Sequence, residues 1–423
     1  MMDGNGRRYC IVGSTGAAMR AAFWLALQGA EVRWLRPGAN GDIPWDFCAW
    51  PVPASLPLPG LGRGTVVDST ALPRALCLGG REWSLPLRRR AAVELVGRVA
   101  ASDWLWARLE GGLAGWMGSR RRLATAREEL LRAVGPSVYG AVYRPYWIKR
   151  WGADPSDLPA NLAEWLHGRS SPERWWVPAD DEAACVEAIR DAGGDVIDGV
   201  HIEALEVEAG RVVAVQSDVG REVLDAELLH DLPPHQIAAL LPVGFADAEF
   251  SRELRSLRSV HAVEVIAATS SPTPFFVRHI VDASCLAWRI VDPSHLPGGP
   301  QRHVAVTAHC SSDDPLWLGD DRTLAAAVLR GVQRWVPLED DPVVAVRRTP
   351  YAVPVPSGHA HREWVRRRDA LLRAGIVGIG SRGAHQPLTC ADEAIFLRGL
   401  LAGSANFPVL EGGRAHLRTF VVD

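Results

Sequence analysis

The chain has 423 residues, 48% hydrophobic and 22% charged, which excludes a disordered chain and allows two interleaved domains around a substantial core. A net charge of −3 with a pI near 6.5 argues against a nucleic-acid partner, and no apolar run is long enough to span a bilayer. The seven cysteines (Cys10, Cys48, Cys77, Cys185, Cys285, Cys310, Cys390) lack C-x-x-C spacing, so they read as reduced thiols of a cytoplasmic protein rather than as disulfides or a zinc site.

The first strand pattern, RYCIV (8 to 12), begins so early that no secretory leader is expected. GSTGAAM (13 to 19) follows as a small-residue turn, RAAFWLALQG (20 to 29) as an apolar helix, and AEVRWL (30 to 35) as a second strand. Strand, glycine turn, helix and strand form a dinucleotide-binding unit, in which glycines let the backbone approach a pyrophosphate and the helix N-terminus supplies N–H donors. The candidate cofactor-binding residues are Gly13, Ser14, Thr15, Gly16, Ala17 and Ala18. The G-x-G-x-x-G spacing is altered: Thr15 holds the second glycine position and Ala18 the third. Arg36 stands where an acidic residue would accept the ribose hydroxyls, and it suits a 2′-phosphate better.

A Pro-rich stretch (44 to 64), a hairpin pattern CLGGREWSLPLR (77 to 88) and a helical region (about 90 to 140) come next. Several of the 17 tryptophans cluster from Trp104 to Trp176, most of them expected in the core. Basic charge is carried almost wholly by arginine, and Lys149 is the sole lysine. The segment YGAVYRPYWIKRWGADPSDLPANLAEW (139 to 165) contains Pro145, Tyr146, Lys149, Trp151, Gly152, Pro155 and Leu158 at fixed spacing. With the hairpin before it, this phrase resembles the flavin-dependent amine oxidase superfamily, in its protoporphyrinogen-oxidase-like and UDP-galactopyranose-mutase-like branch.

The resemblance runs on to the C-terminus. Residues 175 to 233 resemble the family's helix and strand meander, with a hairpin turn at Ala209-Gly210 that the alternation in IEALEV and RVVAVQS supports independently. Asp180 and Asp181 replace a glycine pair that the family places near the flavin. Strand patterns and a helix over 321 to 336 fill the region 255 to 350, and Tyr351, Pro354 and Val355 lead into the closing motif. GIVGIGSRGAHQPLTCADEAIFLRGLLAG (375 to 403) resembles the strand, turn and helix that cap the flavin, with Gly380, Gly383 and Asp392 in matching places. The loop 384 to 390 departs from the family's phrase.

The resemblance implies an α/β fold: a Rossmann-like dinucleotide-binding domain (1–76, 175–255 and 365–423) interleaved with a helical subdomain (77–174) and an antiparallel-sheet α+β substrate domain (256–364). It implies an FAD-dependent oxidoreductase or flavin-using mutase acting on a small molecule, a sugar or specialised metabolite. Lys149 and Trp151 would then lie near the seam between the helical and cofactor regions. Arg382 would clamp an anion, and His385 would act as acid or base near the ring. The altered positions gather around the expected flavin, so three alternatives stand beside it. These are a flavin-free non-redox enzyme holding an acidic ligand through Arg36, an NADP-binding protein, and a binding module on the same fold. No metal site is expected: His359 and His361, and His303 and His309, lack a ligand set.

Overall fold

The computed structural model describes residues 8–37, 52–53, 64–68, 72–85, 125–160, 174–178, 182–245, 248–296, 299–385, 404–411 and 414–421, with positions 94, 97 and 162. Strand Arg8–Val12 lies at the centre of a five-stranded sheet, ordered Ile376–Gly378, Leu228–His230, Arg8–Val12, Glu31–Arg36, Asp195–Asp198, all parallel. A parallel sheet must be covered on both faces, and the alternation of side chains shows how. Tyr9, Ile11, Trp34 and Leu229 pack on one face against helices Gly16–Leu27 and Glu182–Asp191. Cys10, Val12, Leu35 and Leu228 pack on the other against helices Ala248–Ser256 and Gly358–Arg373. Burial pushes the Cys10 thiol up to about 12, which makes it a small core residue.

Beside this sheet runs the meander Ile202–Glu208, Arg211–Ser217, Gly220–Val223. Its first turn has Ala209 at φ 49° and Gly210 at φ 79°, the left-handed pair that a tight hairpin needs. The second large layer is a seven-stranded mixed sheet, ordered Leu338–Val355, Arg258–Thr269, His303–Cys310, Arg289–Val291, Val277–Ile280, Arg74–Leu78, Arg81–Ser84. Hairpin 74–84 therefore extends this sheet, with Arg74–Leu78 parallel to Val277–Ile280. A domain boundary at 76/77 would cut through a paired strand.

Two helical expectations change in extent. The helix expected over 321 to 336 is Asp321–Leu329, because Gly331 at φ 84° turns the chain out of it. The helical region breaks at Gly135 (φ 77°) and Pro136 inside Ala126–Val138, then passes through a π-helical turn, Tyr139–Tyr143, into helix Arg144–Trp151. Gly152 ends that helix at φ 60°.

Candidate functional site

The sequence turn Gly13-Ser14-Thr15 closes at the C-terminal ends of the parallel strands, where an open α/β sheet presents its ligand crevice. Thr15 caps helix Gly16–Leu27 by accepting from the Ala17 N–H at 3.3 Å. Both donors of Thr15 are already used. The Thr15 N–H donates to Asp231 Oδ2 at 2.7 Å, and the Thr15 hydroxyl donates to the same oxygen. Asp231 follows strand Leu228–His230 and is fully buried. Arg382 holds it from the far side, with Nε on the Asp231 carbonyl at 2.7 Å and Nη2 on Oδ1 at 3.1 Å. A Cβ at position 13 would overlap this carboxylate, and Trp34 Nε1 donates to the Gly13 carbonyl at 2.9 Å. A protein carboxylate thus fills the place an anion takes at such a turn.

Ala18 is buried between helix and sheet, whereas Ser14 is exposed at the rim. Gly383 lies so close to the His230 carbonyl, and Gly378 to that of Gly383, that a side chain would overlap either. Gly380 adopts φ 64° at the start of that turn. Arg36 pairs with Asp198, its register partner on the next strand, at 2.7 Å and lies 4.8 Å over the Trp34 ring. A 2′-phosphate at Arg36 would meet the like charge of Asp198 at short range. Asp392, Asp180 and Asp181 lie outside the described residues.

Next to the Asp231–Arg382 pair, His235 of helix Pro234–Leu240 meets His261 and Tyr351 of the mixed sheet and Trp317 of helix Pro315–Leu318. His235 lies 4.1 Å from the Tyr351 ring, Tyr351 lies 4.8 Å from His261, and His261 lies 4.4 Å from Trp317, centroid to centroid. Tyr351 is presented by a bulge: Val260 pairs with Val353 but Ala262 pairs with Thr349. Its backbone is held at φ 52°, a costly angle for a large side chain. His261 Nδ1 accepts from the Tyr351 N–H at 3.4 Å, so Nε2 carries the proton of the neutral ring. Burial lowers the pKa of His261; burial, then the charges of Arg382 and His261, lower that of His235. Both imidazoles are therefore neutral near pH 7.

His385 lies deeper, 6.0 Å from His361 and 6.2 Å from Trp364, at φ 46°. Burial first, then His361 and His235, push its pKa down to about 3, and burial pushes His361 down to about 4. The loop histidine expected at a ring face is a neutral buried residue. Among the described residues no group of three or more His, Cys, Asp or Glu could hold a metal ion.

Lys149 and Trp151 lie apart from this cluster. Lys149 Nζ donates to the carbonyls of Ile280 (3.3 Å), Asp282 (2.8 Å) and Ala287 (3.1 Å), which matches its three protons and leaves no donor for a ligand. Asp154, nearby on the chain, pairs with Arg144 at 2.8 Å. Trp151 is buried against Trp147 in the helical core. Residue patterns missed Asp231, His235 and His261; the signal for the first was a charged residue directly after an apolar strand, in LLHDLPPH.

No family model matches the chain. A curated relative, a probable UDP-galactopyranose mutase of Klebsiella pneumoniae, is 43% identical over 42 residues, which is 10% of this chain and 11% of that protein. The chain thus matches about a tenth of that relative's length. Among solved structures, reduced UDP-galactopyranose mutase superposes with a TM-score of 0.68 at 13% identity, over 94% of each chain. An oxidoreductase from Methanosarcina mazei gives 0.64 at 11% identity over 93% of this chain and 100% of the other. A fatty acid isomerase from P. acnes gives 0.61 at 13% identity over 95% of this chain and 99% of the other. The chain shares the fold of these proteins.

FAD, the cofactor that the sequence resemblance implied, fits this chain poorly at one place. The FAD diphosphate needs the N–H groups of the first turn, and here the Thr15 N–H and hydroxyl and the Arg382 guanidinium are engaged by a buried carboxylate. A diphosphate brought to the turn would meet a like charge at short range, in surroundings where screening is weak. The residues present do not fit the group.

Proposed function

We propose that this chain is a flavin-independent enzyme that moves protons on a small molecule, without net oxidation, where the parallel and mixed sheets meet. The observation that carries this reading is the Asp231 carboxylate seated on the Gly13–Thr15 turn. It argues against the FAD-dependent chemistry that the resemblance implied, and the Arg36–Asp198 pair argues likewise against NADP. The groups suited to proton transfer are His235, His261 and Tyr351: two neutral imidazoles flank a phenol on a strained bulge, at the crevice end of the sheet. In this reading His235 is the base, Tyr351 the acid, and His261 orients Tyr351.

An absorbance spectrum of the freshly purified protein tests the cofactor half. We expect no flavin bands, no uptake of added FAD, and no thermal shift with NADP; flavin at one equivalent per chain would overturn the reading. The catalytic half is tested by following depletion of a metabolite pool. Tyr351→Phe and His235→Gln should each slow turnover by about a hundredfold or more while the fold is kept.

A further inference from the structure

A pocket lies at the opposite end of the mixed sheet from the candidate site, about 490 Å³ in volume and lined by Glu82, Thr273, Pro274, Arg278, Trp335 and Pro337, with Ser271 and Arg334 at its rim. Strand Arg258–Thr269 joins the two ends: His261 belongs to the candidate site, and Thr269 pairs with Leu338 beside this pocket. Eight residues at about 3.3 Å each separate them by roughly 26 Å, so the pocket is independent of the site described above.

Its walls are held in place. The Thr273 N–H donates to Asp292 Oδ2 at 3.1 Å and the Thr273 hydroxyl to the same oxygen at 2.6 Å; the Thr273 carbonyl meets His295 Nε2 at 2.9 Å. The Ser270 N–H and hydroxyl both reach the Pro337 carbonyl, at 2.9 and 3.2 Å. Three prolines, Pro272, Pro274 and Pro337, stiffen the remainder.

The polar groups of the wall are unevenly satisfied. The Arg278 side chain is 2% exposed and pairs through Nε with Glu82 at 2.6 Å, which leaves buried Nη1 without a hydrogen-bond partner. Trp335 Nε1 is also buried without a partner. Both of these groups are donors, and among the described residues no buried side-chain acceptor on the same wall lacks a partner. Buried donors left without partners are costly, and a ligand acceptor would relieve that cost. Arg278 and Arg334 both line the pocket, the first paired with Glu82 at 2.6 Å and the second with Asp282 at 3.3 Å.

We propose that this pocket is a second ligand site, and that its ligand is a small flat monocarboxylate. The carboxylate would accept from Arg278 Nη1, and the ring would lie between Trp335 and the prolines. The volume lies within the range of small-molecule sites.

Calorimetric titration of the full chain with sodium benzoate tests this, with benzyl alcohol and inorganic phosphate as comparison probes. Benzoate should bind at one site, and benzyl alcohol and phosphate each at least about tenfold more weakly. Arg278→Lys, which keeps the charge but loses the fork, should weaken benzoate by a similar factor. Ser271→Trp fills the pocket from its exposed rim without touching the buried ion pair, and should abolish binding with an unchanged melting temperature. The proposal fails if benzoate does not bind, if benzyl alcohol or phosphate binds as well as benzoate, or if Ser271→Trp leaves its affinity intact.

Discussion

The Asp231 carboxylate occupies the space beside Gly13 that any other residue would fill with its own Cβ. Gly13→Ala should therefore destabilise the protein by about 2 kcal/mol through overpacking. The cost should shrink by at least about 1 kcal/mol when Gly13→Ala is combined with Asp231→Gly, because the two residues compete for one volume. Urea unfolding of both single variants and the double variant measures the coupling. Additive costs would mean that the two do not touch.

Removing one member of the Asp231–Arg382 pair leaves the other buried and uncompensated. Asp231→Asn and Arg382→Met should each cost about 3 to 5 kcal/mol. Asp231→Leu combined with Arg382→Met should cost clearly less than the sum of the two single changes, since no charge then remains stranded. Equilibrium unfolding provides the comparison.

Acid should weaken the fold from an unusually high pH. Burial holds His230 and His361 down at about 4, and His279, His309 and His385 at about 3. All five folded-state values lie below the unfolded value of about 6.5, so on acidification the unfolded chain takes up protons first. Stability fully present above pH ~6.5 is thus lost as pH falls toward the folded values, by up to about 1.4 kcal/mol per pH unit for each histidine. The melting temperature should be nearly flat from pH ~8 to ~7 and fall steeply below pH ~6. A flat profile down to pH ~5 would show that these rings are protonated in the folded state.

Lys149→Met keeps much of the side-chain volume and removes the charge that gathers the carbonyls of Ile280, Asp282 and Ala287. A loss of about 3 kcal/mol is expected, as three carbonyls lose a charged donor. Faster amide exchange should be confined to residues 280–288. Lys149→Arg should rescue little, because a planar fork cannot converge on three acceptors as an ammonium does.

Legibility from sequence followed distance along the chain. The strand, turn, helix and strand over 8–36 were readable because each rests on a pattern a few residues long, as was the Ala209-Gly210 hairpin. Thr15 appeared as a misplaced residue in a glycine motif, since its partner Asp231 lies 216 residues away. Arg36 suggested a free cation; its ion pair depends on the register of a strand that arrives at 195. Composition marked Lys149 as unusual, but its acceptors lie 131 to 138 residues onward. Tyr351 gave no sign of its backbone angle, which arises only when two strands of unequal length are paired.

The sole lysine also gives a lysine-specific protease a single possible point of cleavage. That point lies within helix Arg144–Trp151, with its half-buried ammonium bonded to the turn that follows strand Val277–Ile280. Cleavage there requires the helix to part from the mixed sheet, so the rate of a single cut would report how often that seam opens while the rest of the molecule stays folded.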